Sequence, residues 1–321
     1  MTYHDVFNGD ADGICALQQL RLQQPREALR ISGLKRDIDL LQQVDAGVGD
    51  EVTVLDVSLD KNRDALRALL DKGVRVFYAD HHFSGDIPEH ELLDCHIDTA
   101  ADTCTSLIVN ALLQSAQWRW AVVGAFGDNF DAAACSLGAA GGLGETDLEQ
   151  LQQLGICLNY NGYGFEIDDL LYHPADLFAL VHPYADPLDF IAGESGYADL
   201  LAQYRDDMGR AIGARAETES AHGAVFLLPN DGWAKRIVGV MGNDLAKQFA
   251  DRAHALLVDM GDGHYRVSVR APYNRKQGAD DLCRQFSGGG GRKAAAGINA
   301  LAQDELQRFI DLFNLQFGQQ L

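Results

Sequence analysis

Val74-Arg75-Val76-Phe77-Tyr78-Ala79 runs directly into Asp80-His81-His82. A short apolar run that stops at acid and imidazole reads as a buried parallel strand with a site at its carboxyl end. The same pattern recurs along the chain. Val6-Phe7 leads into Asn8-Gly9-Asp10-Ala11-Asp12-Gly13, and Val52-Thr53-Val54-Leu55 leads into Asp56. Trp120-Ala121-Val122-Val123-Gly124 precedes Gly127-Asp128-Asn129 and reads as a further strand. In open α/β sheets, sites form beyond the carboxyl ends of the strands. The sequence therefore predicts acidic clusters and a His pair along one rim, a donor set suited to divalent metal ions.

Each motif has a plainer reading alone. Asp10-Ala11-Asp12-Gly13 suits a turn, Asp56 or Ser58 can cap a helix, and Asp80-His81-His82 can be a solvated bend. Taken together, these readings require several coincidences. Helices are expected at Ile14–Gln24, Asn62–Lys72 and Thr103–Ser115. Their alternation with strands predicts an α/β fold with a mainly parallel sheet flanked by helices. Gly138–Gly144 reads as a loop, Glu145–Leu154 as a helix, and Asn159-Tyr160-Asn161-Gly162-Tyr163-Gly164 as a turn-rich patch.

The rest of the chain predicts a smaller α/β domain. Ser195–Glu219 reads as one long connecting helix. Strands are expected at Ala224–Leu228, Ala255–Asp259 and Tyr265–Arg270, with a helix over Ile237–Ala250. Ala302–Gln316 has the pattern of a closing amphipathic helix. The expected organisation is a metal-binding domain at 1–190, a connector at 191–222 and a substrate-binding domain at 223–321, with the site in the cleft between domains. Ser287-Gly288-Gly289-Gly290-Gly291-Arg292-Lys293 suits close backbone approach to an anion, with Arg292 adding bidentate donors. The following Ala294-Ala295-Ala296-Gly297 looks helical.

Composition narrows the partners. The 321 residues carry a net charge of −21, which argues against a broad basic grip on long duplex DNA. Short nucleotides stay compatible, since metal ions and a few Arg neutralise their phosphates. Hydrophobic content is 47%, with no run long enough for a membrane span and no secretory signal pattern. The six cysteines include no CxxC pair and read as buried free thiols in a reducing cytoplasm. Homodimerisation is left open.

The acidic and His motifs resemble the DHH phosphoesterase superfamily, and the glycine-rich loop resembles that of its DHHA1 domain. Members include RecJ-type exonucleases, oligoribonucleases, cyclic-dinucleotide phosphodiesterases and family II pyrophosphatases. The resemblance implies that Asp56 bridges two Mn²⁺ ions, with Mg²⁺ or Co²⁺ as substitutes. It further implies that Asp10 binds one ion and that Asp12, His81 and Asp128 bind the other. His82 would face the substrate phosphate, and Asp80 would orient a neighbouring His. Gly289, Gly290, Gly291, Arg292, Ser268 and Arg270 would bind substrate. Two departures stand out. Val6 occupies a position where many members carry a ligand His, leaving Asn8 or water to supply an oxygen. Arg292 replaces the expected His of the glycine loop. Lys35 and Arg36 read as a solvated strand end or as substrate contacts, and Tyr160 and Tyr163 as packing or base-stacking groups.

The expected activity is two-metal hydrolysis of short nucleotides, such as pGpG or nanoRNA, to mononucleotides. Rival readings are a cyclic-dinucleotide phosphodiesterase, a pAp phosphatase, a RecJ-like single-strand exonuclease and a degenerate nucleotide-binding module.

Overall fold

The computed structural model describes residues 1–318, and their contacts divide into two units, one ending at Ala202 and the other starting at Gln203. The first opens with β1 (Tyr3–Phe7), α1 (Ala11–Gln23) and β2 (Ala28–Ile31). It continues with β3 (Glu51–Leu55), α2 (Leu59–Asp71), β4 (Arg75–Asp80) and β5 (Leu93–Ile97). All five strands are parallel, in the order β2-β1-β3-β4-β5. The period of two explains how helices cover both faces. Val6, Val52, Val54, Val76 and Tyr78 pack with Leu66, Leu69 and Leu70 of α2. On the other face, Arg21 of α1 donates through Nε to Asp5 (2.9 Å) and through Nη2 to Thr53 Oγ1 (2.9 Å). The expected α/β class with a parallel sheet is what the chain forms.

Helices then follow: α3 (Thr105–Leu112), α4 (Trp118–Gly127), α5 (Asp131–Ala140), α6 (Glu145–Asn161), α7 (Pro174–Val181), α8 (Pro187–Gly193) and α9 (Ser195–Ile212). Here the expectation of a strand at Trp120–Gly124 is corrected. The run lies inside α4, and every residue from Trp120 to Gly127 is buried. A helix apolar on all sides has the same composition as a buried strand, and a five-residue window cannot separate them. The patch at Asn159-Tyr160-Asn161 is also corrected: it completes α6, with Tyr160 fully buried. Gly138–Ala140 belongs to α5 rather than to a loop.

The second unit adds β6 (Ala216–Glu219), β7 (Gly223–Leu228), α10 (Gly232–Gln248), β8 (Ala253–Asp259) and β9 (His264–Arg270). After these come α11 (Ala279–Cys283), β10 (Gly289–Gly291), β11 (Ala295–Ala302) and α12 (Leu306–Gly318). Its sheet runs β10-β11-β9-β8-β7-β6, with only β7 and β8 parallel. Phe309, Phe313 and Phe317 of α12 join Val225, Leu257 and Val267 in one core. Two helical expectations fail here. The connecting helix ends at Ile212, and Ala216–Glu219 becomes an edge strand antiparallel to β7; Gly213 breaks the helix. Ala294–Gly297 is not helical either. Residues 295–297 enter β11 between β10 and β9, because tertiary pairing overrides the helix preference of alanine.

Four of the six cysteines are buried as expected, whereas Cys95 is half-buried and Cys135 is exposed. Among the described residues no helix is long and apolar enough to cross a membrane.

His254 gives the second unit a pH dependence. It sits on β8 between Ala224 and Arg270, fully buried, with neither ring nitrogen hydrogen-bonded. Burial, helped by nearby Arg252, holds its pKa down to about 4, with Glu219 opposing. The unfolded chain binds that proton near pH 6.5, so between pH 6.5 and 4 the unfolded state holds more protons. Stability from a neutral His254 is therefore present above pH 6.5 and is lost as pH falls toward 4. His254→Phe is expected to flatten that loss by about 2–3 kcal/mol. Denaturant melts of both proteins at pH 7 and pH 4.5 check this; parallel pH profiles would refute it.

Candidate functional site

The rim of the parallel sheet is built from close backbone packing. The loop after β1 turns at Gly9, where a Cβ would lie 1.9 Å from the Gly33 carbonyl oxygen. Only hydrogen fits, so the loop after β2 lies directly against the loop after β1. Asn8 ties them together: its Oδ1 accepts from Asp10 N (3.2 Å) and its Nδ2 donates to the Lys35 carbonyl (3.1 Å). Asp10 then caps α1, its Oδ1 accepting from the N–H groups of Asp12 and Gly13.

Asp12 lies in the first turn of α1 and faces the start of α3. Its two carboxylate oxygens accept from Thr105 N and Ser106 N, each at 2.7 Å. This is an anion at a helix N-terminus, where peptide dipoles favour negative charge. Asp56, just past β3, has a left-handed backbone at φ 57. Of the described non-glycine residues with positive φ, only Asp56 is buried. Such a conformation costs about 1–2 kcal/mol. It turns the carboxylate into the site, where Oδ1 accepts from Thr105 Oγ1 (3.1 Å).

His81 Nε2 lies 3.4 Å from Asp56 Oδ1 and 3.6 Å from Asp128 Oδ2. Asp128 reaches this centre from the C-terminal end of α4, so it joins the rim from a helix rather than a strand. His82 Nδ1 is 2.7 Å from Asp80 Oδ1 and 3.8 Å from Asp56 Oδ1. Asp80 thus orients His82, and Asp80 Oδ2 is left buried without a hydrogen-bond partner.

The sequence reading missed how central Lys35 and Asn159 are. Lys35 Nζ contacts Asp10 Oδ2 directly, and donates to Asp128 Oδ1 and Asn159 Oδ1, both at 3.0 Å. No periodicity marks either residue. His4 is buried in β1 with both ring nitrogens unpartnered, and Val6 lies in the α2 core. Tyr163 lies under Lys35, its ring centroid 5.9 Å from Nζ.

The cluster is short of positive charge. Burial, with Asp10 and Asp12 nearby, pushes the Asp56 carboxyl well above the usual carboxylate range. Burial also raises Asp12, with Asp128 and Asp10 adding to it and His81 opposing. For Asp10 the attraction of Lys35 overcomes burial and lowers the carboxyl. Burial opposes protonation of His81, yet Asp56, Asp12 and Asp128 lift it to about 10. Carboxylates held this close call for a cation. One ligand atom from each of Asp12, His81 and Asp128 lies within 4.8 Å of the others, and the same holds for Asp56, His81 and His82. These oxygens and imidazoles fit a divalent ion such as Mn²⁺.

In the second unit Gly290, Gly297 and Ser268 are register partners across β10, β11 and β9. They form a row of small, half-buried residues. Arg270 lies two residues from Ser268 on the same face of β9. Its Nη1 donates to Ser268 Oγ (2.9 Å) and its Nε to Asn243 Oδ1 of α10 (2.8 Å). Gly289 and Gly291 lie in β10, and Gly291 has φ 138, which favours glycine. Arg292 follows, exposed. The glycine segment is thus a paired strand, not a free loop.

Residues 221–319 match the DHHA1 domain family. No curated protein matches the chain in sequence. Among solved structures, exonuclease RecJ bound to manganese is similar at TM-score 0.64 and 17% identity, over 98% of this chain and 89% of that one. RecJ from Thermus thermophilus in complex with Mn²⁺ is similar at TM-score 0.61 and 20% identity; 98% of this chain corresponds to 51% of it. A pGpG-specific phosphodiesterase, PggH, from Vibrio cholerae is similar at TM-score 0.58 and 13% identity, over 98% of this chain and all of that one. At these identities the likeness concerns the fold. Residues 221–319 thus carry the DHHA1 match, and the chain as a whole shares the fold of the RecJ-type structures.

Proposed function

We propose that the protein is a divalent-metal phosphodiesterase that hydrolyses short nucleotides, linear diribonucleotides such as pGpG first, to mononucleotides. The observation that carries this reading is the convergence of Asp12, His81 and Asp128 beside the buried Asp56, in a cluster short of positive charge. A divalent ion bound there polarises phosphoryl oxygens and lowers the pKa of an attacking water. The chain's own residues do the rest. Asp12, His81 and Asp128 hold the ion, with Asp56 adding charge beside it. Asp80 fixes the ring of His82, leaving Nε2 for a phosphate oxygen. Ser268, Arg270, Gly289, Gly290, Gly291 and Arg292 anchor the remainder of the substrate. Mn²⁺ is the expected ion, with Mg²⁺ or Co²⁺ as substitutes. The resemblance implies two ions, and the number this chain holds turns on Lys35.

A small substrate agrees with the net charge of −21, which opposes long nucleic acid. It also agrees with the pGpG-specific relative, whose whole length this chain spans. The test is Mn²⁺-dependent hydrolysis of pGpG, pApA, cyclic dinucleotides, pAp, pyrophosphate and single-stranded DNA. Linear dinucleotides should turn over fastest. Preference for long DNA, with steep loss in salt, would indicate an exonuclease. Nucleotide binding without turnover by metal-loaded protein would indicate a binding module.

Arg270 is pre-oriented by Asn243 and Ser268, so it should bind ground and transition states alike. Arg270→Ala is expected to raise KM for pGpG about tenfold to a hundredfold with kcat nearly unchanged. Steady-state kinetics decide; an unchanged KM would remove Arg270 from the binding face.

A further inference from the structure

Lys35 is held in place from three sides. Its N–H donates to the Gly162 carbonyl (2.9 Å), and its carbonyl accepts from Asn8 Nδ2 (3.1 Å). The loop before it is clamped by the Gly9–Gly33 approach. Its ammonium then meets three side-chain oxygens, from Asp10, Asp128 and Asn159. An ammonium surrounded by converging oxygens occupies the kind of space a hard cation takes.

Asp10 and Asp128 divide their oxygens accordingly. Asp10 gives Oδ1 to the N-terminus of α1 and Oδ2 to Lys35. Asp128 gives Oδ1 to Lys35 and turns Oδ2 toward His81. Among the described residues the two possible ligand groups both require His81. Its Nε2 has one lone pair and serves one ion at a time. The group with His82 is further weakened because His82 Nδ1 is engaged by Asp80. Val6, packed in the α2 core, offers no donor.

We propose that the Lys35 ammonium takes the place of one of the two divalent ions, so that the chain holds a single resident ion, at Asp12, His81 and Asp128. This rests on the metal-hydrolase reading, but its test counts ions and needs no substrate. Lys35 supplies fixed positive charge beside Asp10, and Asp128 joins it to the ion. The fixed charge also implies that the substrate phosphate meets an ion on one side and a lysine on the other.

The test uses the full chain, stripped of metal and titrated with Mn²⁺ alone. Bound metal is counted by elemental analysis after equilibrium dialysis, and the ion is examined by electron paramagnetic resonance. Wild type should bind one Mn²⁺ per chain, with the six-line signal of an isolated ion. Lys35→Ala frees three oxygens and should bind two, with the signal of a spin-coupled pair. Lys35→Arg keeps the charge and should stay at one. Two ions or a coupled-pair signal in wild type would overturn the proposal, and so would a folded Lys35→Ala that still binds one. Should Lys35→Ala not fold, the wild-type count and signal decide alone. Absence of hydrolysis would overturn the enzymatic reading and leave the count standing.

Discussion

Asp56→Asn is expected to lower pGpG turnover by about a thousandfold while leaving the fold intact. Asparagine tolerates the left-handed backbone at φ 57 better than other replacements. Its amide oxygen can still accept from Thr105 Oγ1, and the backbone N–H can still donate to the Ala79 carbonyl (3.1 Å). What disappears is a negative charge beside the proposed ion. Losing one preorganised electrostatic group costs about 3–4 kcal/mol of barrier, or about 10²–10³ in rate. Weaker metal binding adds to that. The buried carboxylate is also crowded by Asp10 and Asp12. Its neutralisation should therefore leave the melting temperature of metal-free protein unchanged or higher. Single-turnover assays at saturating Mn²⁺, with parallel melts, separate the two effects. Turnover within tenfold of wild type would show that Asp56 is not at the reacting centre.

Asp56, His81 and Asp10 were legible in the sequence because each ends a strand or opens a helix. A buried parallel strand needs continuous apolar residues, and the first polar residue after it stands on the rim. Asp128 was legible for a different reason from the one inferred. The run before it is apolar because α4 is buried on all sides, and the helix happens to end at the same rim. β5 escaped notice, since Leu93-Asp94-Cys95-His96-Ile97 is half-exposed and has no continuous apolar run. β10 and β11 were hidden by composition. Glycine and alanine show no period of two, and only pairing with β9 makes them strands. Lys35 and Asn159 could not be found from local pattern. Their meeting depends on backbone contacts between distant segments: the Lys35 N–H donates to the Gly162 carbonyl just past α6, and Gly33 lies against Gly9.

That contact is the basis of the second large effect, in which Gly9→Ala strongly destabilises the first unit. The added methyl would sit 1.9 Å from the Gly33 carbonyl oxygen and 2.6 Å from Pro174 Cγ. Neither neighbour is a flexible side-chain end. One is backbone, and the other is a proline ring at the start of α7. The β1 loop must separate from both, so the cost should reach the upper range for overpacking, about 3 kcal/mol. For a unit of this size that corresponds to a fall in melting temperature of about 6–12 °C. Gly47→Ala is the matched control, because its only close neighbour is Asp50 Oδ2 at 4.0 Å. The two variants change the unfolded chain alike, so a difference between their melts reports on packing in the native loop. If the Gly9 variant refolds by pushing the Gly33–Lys35 loop outward, the contact between Lys35 and Asp10 opens. Such a protein should then take up a second Mn²⁺ even though Lys35 is present. A melting temperature within about 2 °C of wild type, with Mn²⁺ binding unchanged, would mean that the two loops do not touch and that Lys35 is not held against the carboxylates.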